Sequence, residues 1–371
     1  MRGILIIGIL FIHCFYSFGQ TYKKQVVDNV YQRLVNAYGN PKAAPKLIYS
    51  DKYLGGPASF SQSDKSITID KRLFDICRKL GKDSLNAFSI IISHELAHYY
   101  YEHSFCSDFG YLLNSKNKAF SNKIISLGIK QKLIYESQAD KKGLFYSAIA
   151  GFQPFEINNQ LLDLIYISYQ HKDINGYPSK AERKEIGLTA SIEIKSLFNK
   201  FIQGLNLLNE GKLQSSIIEF ETITKEFPSR EIYNNLGIAR ARMALLLKPK
   251  TKEEFESPKR FKYPLEIENK SRLDREDTRS IQLENNYIEL LGEAQSDFEK
   301  AISLDPSFVK SYINLACIYD LLDNPDNAIG TIKRLSKVDQ NTVDSKMILA
   351  IAYFHSDRES LAEKIWKELN L

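Results

Sequence analysis

The residues with the clearest chemical potential are a histidine pair on one predicted helix. His94 and His98 stand four positions apart, and Glu95 directly follows the first of them. Residues four apart share one face of a helix, so both imidazoles can reach a single divalent ion. Catalytic zinc sites use three protein ligands and keep water in the fourth position, and the metal lowers the pKa of that water to about 7. The pattern therefore predicts a zinc site with Glu95 as general base. An accidental histidine pair on a surface helix is the alternative.

A second acidic pair supplies the best candidate for the third ligand. Glu136 and Asp140 are also four residues apart. Glu136 can offer a carboxylate oxygen to the ion, and Asp140 can accept a hydrogen bond from the outer nitrogen of a liganding histidine. Glu102 and His103 are nearer in sequence, but they belong to the same helix as the histidine pair and point differently. Alone, an acidic pair of this kind is typical of a solvated helix face.

These side chains need helices and a small sheet to position them. Strand-like and helix-like segments are mixed from residue 20 to about 188, which indicates an α+β domain that is mostly helical. The apolar run Phe88–Ile92 predicts that the histidine helix, over Leu85–His103, is buried, with Asp83 or Ser84 as its N-cap. The other predicted elements are helices over 22–38, 134–150 and 156–170 and strands over Lys46–Tyr49 and Ser66–Asp70.

The second half of the chain is repetitive. Small residues recur every 34 positions, and each is followed four positions later by a bulky apolar residue; the pairs are Ala294 with Phe298, Ala328 with Ile332, and Ala362 with Trp366. An earlier copy contains Gly204, Ser216, Phe220 and Pro228. A small residue lets two helices of a hairpin approach closely, and the bulky one fills a neighbouring groove. The period resembles tetratricopeptide repeats and predicts an all-α repeat solenoid over residues 191–371. An ordinary helical bundle is the alternative.

The repeat pattern fails between residues 247 and 281. This stretch is charged, poor in regularly spaced apolar residues, and longer than most loops in compact domains. It permits two interpretations, which are a mobile insertion and a docking segment.

The N-terminus is the one continuously apolar segment. Arg2 is followed by an uncharged stretch over Gly3–Phe18, with the small residues Ser17 and Gly19 three and one positions before a cleavage point. This predicts a cleavable signal over residues 1–19 and export to the periplasm or beyond; an uncleaved anchor is the alternative. The net charge of the 371-residue chain is only +5 and is scattered, which argues against a nucleic-acid partner.

Five segments together resemble a known family. They are the strand Ser66–Asp70, the motifs His94–His98 and Glu136–Asp140, the turn Ala150–Pro154, and Tyr177-Pro178-Ser179 with Arg183. In this order they resemble the gluzincin metallopeptidases that include the CAAX prenyl proteases, HtpX and Oma-type peptidases (peptidase family M forty-eight), and they span most of residues 50–190. The resemblance implies one Zn²⁺ per chain. Its ligands would be His94, His98 and Glu136, with Glu95 as the catalytic glutamate and Asp140 as the supporting aspartate.

One position departs from that family. Its members usually have histidine where this chain has Tyr177. A tyrosine hydroxyl can donate a hydrogen bond to a developing oxyanion, but a tyrosine that plugs the metal site is equally consistent with the sequence. Arg183 is either a second electrostatic stabiliser of the oxyanion or a structural residue.

The domain order resembles BepA-type periplasmic peptidases. It comprises a signal over 1–19, a metallopeptidase domain over 20–190, and repeats over 191–371. The resemblance implies association of the repeats with outer-membrane assembly partners. We therefore expect an exported zinc endopeptidase in envelope protein quality control, with substrate extended along the edge of the Ser66–Asp70 strand and client or partner proteins on the repeats. The rival hypothesis is a latent or inactive peptidase-like adaptor or chaperone that acts through its repeats.

Overall fold

The structure is a computed structural model that describes residues 24–40, 42–50, 54, 56–102, 129–170, 179–267 and 287–371. The predicted signal over residues 1–19 and the predicted site residue Tyr177 lie outside these ranges. The chain is mostly helical with a small sheet, and it divides into two compact units. The first comprises residues 1–38 and 42–196, and the second comprises residues 39–41 and 197–371. Within the described ranges, no helix combines the length and the apolar character required to cross a bilayer.

The sheet of the first unit has three short strands. They are β1 (Lys46–Ser50), β2 (Ala58–Ser61) and β3 (Ser66–Asp70), in the spatial order β1-β3-β2. β3, which was predicted, pairs in parallel with β1 and antiparallel with β2. It is therefore the central strand, and both of its edges are hydrogen-bonded to neighbouring strands. The prediction that a substrate adds to the edge of Ser66–Asp70 is therefore wrong. β2 was not predicted from the sequence, because its four residues are too few for a clear alternating pattern.

In the described part of the first unit there are six α-helices. They are α1 (residues 24–38), α2 (Leu73–Arg78), α3 (Ser84–Tyr100), α4 (Ile129–Ile149), α5 (Asn158–Tyr169) and the first part of α6 (Lys180–Asn209). α3 is buried at every position from Ala87 to Tyr100, as its apolar run predicted. Asp83 is the N-cap residue of α3, as predicted, but its side chain does not cap a backbone N–H; the carboxylate instead accepts a hydrogen bond from Asn86 Nδ2 at 3.0 Å.

The second unit consists of helices that pair as four hairpins in the described part of the chain. The elements after α6 are α7 (Leu213–Thr224), α8 (Arg230–Leu247), α9 (Lys252–Glu256), α10 (Tyr287–Leu304), α11 (Val309–Leu321), α12 (Pro325–Lys333), α13 (Lys337–Gln340), α14 (Val343–His355) and α15 (Glu359–Glu368). The hairpins are the end of α6 with α7, α8 with α10, α11 with α12, and α14 with α15.

Close helix approach within these hairpins follows the predicted pattern of small residues. The repeating alanines and their bulky partners are all buried, with at most 1% exposure; they are Ala294, Ala328, Ala362, Phe298, Ile332 and Trp366. In the first hairpin, a Cβ on Gly204 would lie 2.8 Å from the Phe220 ring, and Ser216 Oγ donates to the Gly204 carbonyl oxygen at 2.8 Å. Gly237 stands in the same relation to Phe298, also at 2.8 Å. Packing at this distance requires glycine.

The segment that interrupts the repeats lies inside the second hairpin, between α8 and α10. Its first part is packed against the chain's own repeats. Thr251 forms a capping box with Glu254 at the start of α9, and the buried Phe261 contacts Phe354 and Trp366 at ring-centroid distances of 5.1 and 5.5 Å. The prediction of a mobile insertion is therefore wrong for residues 251–267, while residues 268–286 lie outside the described ranges.

An acid–histidine pair joins α11 and α14. Asp320 is fully buried, and one of its carboxylate oxygens lies 2.9 Å from His355 Nδ1. Burial lowers the pKa of His355, but the hydrogen bond and charge of Asp320 outweigh it, and the opposing charges of Lys248 and Glu254 also face the imidazole. The pKa of His355 is therefore raised above its usual value, and the protonated imidazole is favoured in the folded state.

Candidate metal centre

Two packed helices carry the candidate site. α3 supplies His94, Glu95 and His98, and α4 supplies Glu136 and Asp140. α4 approaches the backbone of α3 closely. A Cβ built on Gly143 would lie 3.1 Å from the backbone nitrogen of His94 and 3.2 Å from its Cα, so a side chain at this position would push the two helices apart by a few tenths of an ångström.

The structure brings together the three predicted ligands. The two Nε2 atoms of His94 and His98 are 3.0 Å apart. The Glu136 carboxylate oxygens lie 3.6 Å from His94 Nε2 and 3.7 Å from His98 Nε2. All three side chains are at most 2% exposed. Among the described residues, this is the one group of three His, Cys, Asp or Glu side chains close enough to share an ion.

The donor set fits a zinc-sized ion. At zinc bond lengths of about 2.0–2.1 Å, two ligands of a tetrahedral ion are separated by roughly 3.3–3.4 Å. The three observed separations, 3.0 to 3.7 Å, bracket that value. Two imidazoles and one carboxylate are also a donor set that catalytic zinc sites use. The residues present therefore match the size and the chemistry of a Zn²⁺ ion.

Asp140 determines which nitrogen of His94 faces the cluster. The Nδ1 atom of His94 lies 2.8 Å from Asp140 Oδ1 and donates its hydrogen there, which leaves the lone pair of Nε2 directed at the other two ligands. Burial alone would raise the pKa of Asp140. The nearby Arg183 charge and the hydrogen bond from His94 outweigh burial and lower the pKa below its usual value, so the carboxylate is ionised.

Arg183 lies beside the liganding carboxylate. It is contributed by α6, and its side chain is only 6% exposed. Its Nη1 donates to Glu136 Oε2, and its Nη2 lies 3.4 Å from Asp140 Oδ1. The sequence analysis assigned Arg183 to a developing oxyanion or to a structural role. In the structure, the guanidinium orients the two carboxylates of α4.

Glu95 is fully buried and adjacent to the first liganding histidine. A carboxylate in this position can exchange a proton with a water molecule that completes the coordination of the ion. Glu102, the nearby acid that sequence analysis set aside, is exposed and forms an ion pair with Lys42 at 3.4 Å.

Two residues that shape the site were missed by sequence reasoning. Gly143 is one of them, and a glycine in the interior of a predicted helix was the available signal, because such a residue costs helix stability unless packing requires it. The other is Tyr38 of α1, which is buried and whose hydroxyl donates to the Ser93 carbonyl oxygen at 2.7 Å, immediately before His94. No local pattern marks a tyrosine for such a contact.

A comparison with known protein families finds a match within the second unit. A tetratricopeptide-repeat family model matches residues 298–330, which include the end of α10, all of α11 and most of α12. Repeats of this type generally bind protein partners. No curated protein matches the chain.

Proposed function

We propose that this chain is a zinc-dependent endopeptidase of the gluzincin type, whose repeats bind client or partner proteins. The observation that carries the proposal is the buried cluster of His94, His98 and Glu136, which has zinc-like spacing and Glu95 beside it. Buried and closely spaced ionisable side chains of this kind cluster at functional sites.

Each residue has a defined task in this proposal. His94, His98 and Glu136 would hold the ion, and bound zinc supplies Lewis acidity and lowers the pKa of its water. Glu95 would accept a proton from that water and pass it to the leaving amine. Asp140 keeps the Nδ1 proton on His94, and Arg183 holds the Glu136 carboxylate in place.

The strand β2 is the better candidate for binding an extended substrate. β2 is an edge strand of the sheet, since it pairs only with β3 in the described part of the chain. It packs against α3, where Phe60 contacts Tyr99 edge-to-face at 5.5 Å between ring centroids. An extended peptide can add to such an edge by main-chain hydrogen bonds, which would place it alongside the helix that carries the candidate site.

The test compares two glutamate variants of the mature protein, which begins at Gln20 if the predicted signal is removed. We expect zinc in the purified protein and hydrolysis of casein, with at least roughly a thousandfold loss in Glu95→Gln and no loss of zinc. Glu102→Gln is the matched control, because Glu102 lies just beyond α3 and is exposed. Full activity in Glu95→Gln, or wild-type protein purified without zinc, would refute the proposal.

A non-hydrolytic adaptor is the second candidate function. It is favoured by the contact of Arg183 with both carboxylates of α4, since this charge competes with an ion for Glu136. Whether or not zinc is bound, the adaptor hypothesis predicts no hydrolysis of any unfolded protein and full cellular function in Glu95→Gln.

We also propose that the chain is exported and acts in envelope protein quality control, with the repeats near outer-membrane assembly proteins. Mass spectrometry of the N-terminus of protein isolated from cell fractions tests the first part. We expect the mature chain to start at Gln20 in the periplasmic or secreted fraction. A retained Met1 in the cytoplasmic fraction would contradict it.

A further inference from the structure

One stretch of the interrupting segment lies across the repeats like a bound peptide. Residues 262–267, with the sequence Lys-Tyr-Pro-Leu-Glu-Ile, follow the buried Phe261 and are here called the strap. The strap contacts side chains on α8 and α11, while Phe261 contacts α14. α8, α11 and α14 are each the first helix of a hairpin, so together they form what we call the first-helix face.

Two buried asparagines bind the main chain of the strap. The backbone N–H of Glu266 donates to Asn314 Oδ1 at 2.8 Å. The Glu266 carbonyl oxygen accepts hydrogen bonds from Nδ2 of Asn314 and from Nδ2 of Asn234, both at 3.1 Å. Both amide side chains are fully buried. Because these contacts involve only the N–H and the C=O of one residue, they would serve any peptide that presents an extended residue at this place.

The asparagines are held in place before a peptide is bound. Asn234 Oδ1 accepts hydrogen bonds from Ser311 Oγ and from Asn314 Nδ2, each at 2.9 Å. Preorganised groups lose little conformational freedom on binding, which favours affinity. If the strap leaves, Nδ2 of both asparagines and Oδ1 of Asn314 lose their hydrogen bonds to Glu266. These groups then need a replacement partner, because unsatisfied buried polar groups are unfavourable. Another peptide main chain would satisfy them in the same way.

Side-chain contacts of the strap add selectivity. The Tyr263 hydroxyl donates to Asp320 Oδ2 at 2.8 Å. Lys310 Nζ donates to the Ile267 carbonyl oxygen at 3.1 Å and lies 4.0 Å from a Glu266 carboxylate oxygen. A peptide that repeats this chemistry carries a tyrosine, then an aliphatic residue, then an acidic residue at positions one, three and four.

The strap is held less firmly than its anchor. Phe261 is buried in the apolar core of the repeats, whereas Lys262 is exposed and the remaining strap residues are only half-buried. A cavity of about 650 Å³ borders the strap, and its lining also includes Arg242, Lys248 and Asp344. Tyr263 and Leu265 of the strap pack against the edge of the same core but stay partly exposed, and the strap has open space beside it, so it can leave while Phe261 remains buried.

We propose that the first-helix face is a peptide-binding groove, that the strap occupies it as an internal ligand, and that its external ligand is an extended peptide of the Tyr-x-aliphatic-acidic type. Such a peptide must displace the strap. A tethered ligand acts at an effective concentration on the order of millimolar, so the wild-type protein binds external peptides weakly until the strap is loosened. The inference rests on the protein-binding part of the proposed function and is independent of the metal.

Peptide titration of the full chain tests the proposal. The probe is a fluorescein-labelled hexapeptide with the strap sequence, and its anisotropy is followed. We expect the double variant Tyr263→Ala/Leu265→Ala to bind it at least tenfold more tightly than wild type does. Adding Asn314→Ala should remove most of that gain, whereas Asn341→Ala, an exposed asparagine at the end of α13, should leave it unchanged. Absence of binding by the double variant, with a wild-type melting transition, would overturn the proposal.

A second measurement needs no substitution. Native-state hydrogen exchange of the wild-type protein compares the Glu266 amide with helix amides such as Ile313 and Ile351, which are fully buried. We expect the Glu266 amide to exchange at least a hundredfold faster, through a local opening that leaves the helices intact. Equal protection would show that the strap opens only when the repeats unfold, and would refute its displacement. Both measurements are made in Glu95→Gln as well, so their outcome is separate from peptidase activity.

Discussion

The most discriminating substitution at the candidate metal centre is Gly143→Ala, which adds one methyl group against the backbone of His94 and changes no ligand side chain. The new Cβ would lie 3.1 Å from the His94 backbone nitrogen and 3.2 Å from its Cα. Ordinary contacts between such atoms are about 3.5–4.0 Å, so α4 has to move away from α3 by roughly 0.3–0.5 Å. The neighbouring atoms belong to the backbone of a buried helix, and they cannot rotate aside as a side chain would.

The change in the free energy of unfolding follows from two opposing contributions, which are helix propensity and overpacking. Alanine in a helix interior is favoured over glycine by about 1 kcal/mol, whereas overpacking costs about 1–3 kcal/mol. We therefore expect a loss of unfolding free energy between about 0 and 2 kcal/mol for the metal-free protein. Metal sites tolerate distance errors of about 0.2 Å, so displacing the Glu136 carboxylate with α4 should weaken zinc binding by about tenfold or more.

Competition of the protein with a chelator for zinc measures this affinity. Gly330→Ala is the matched control, because Gly330 also lies in a helix and a Cβ there would meet nothing within 4 Å. The control should keep wild-type zinc affinity and gain stability. If Gly143→Ala binds zinc as tightly as wild type, the close approach of α4 to α3 does not position the ligands and this reasoning fails.

Three further outcomes are expected. Asp140→Asn should weaken zinc binding by about 10–100-fold in the same chelator assay, because the amide cannot hold the His94 imidazole as a carboxylate does. Gly237→Ala should lower the unfolding free energy of the repeats by about 1–3 kcal/mol, as monitored by Trp366, the single and buried tryptophan. The raised pKa of His355 should make the repeats more stable in acid: this contribution is complete below about pH 6.5 and disappears as the pH rises through the raised value.

Each of the three predictions for Asp140, Gly237 and His355 has a control variant. Asp163→Asn removes a half-exposed aspartate and should leave zinc affinity unchanged. Gly292→Ala lies in α10, where its Cβ would meet nothing within 4 Å, and should stabilise the repeats. His355→Gln should flatten the pH dependence of unfolding across the same range. An Asp140→Asn protein with undiminished affinity, a stabilised Gly237→Ala, or an unaltered pH profile in His355→Gln would each contradict the corresponding argument.

The parts of the candidate site that could be predicted follow local rules. Four-residue spacing puts His94 and His98 on one helix face wherever that helix lies, and the same holds for Glu136 and Asp140. The buried helix around the histidines follows from the apolar run Phe88–Ile92, which only Ser89 interrupts. The 34-residue period of small and bulky residues predicted helical hairpins because each hairpin repeats the same short-range packing.

The errors concern contacts between segments distant in sequence. β3 was placed at a sheet edge because β2 is too short to be detected, and its pairing is visible only in the folded sheet. Arg183 could not be assigned to Glu136 from a separation of 47 residues. A mobile insertion was one of two interpretations of the segment after α8, because charged residues dominate it, but the buried side chain of Phe261 anchors its first part to the core.

For this protein, amino-acid order alone predicted which side chains lie together as candidate cation ligands, which helices carry them, and that the second half is repetitive. Those properties depend on periods of a few residues or on a motif copied along the chain. Only the tertiary structure decides whether two helices meet at Gly143 and which strand remains at a sheet edge. It also decides where residues 262–267 lie. These features depend on the packing of surfaces far apart in sequence, where a difference of a few tenths of an ångström separates contact from clash.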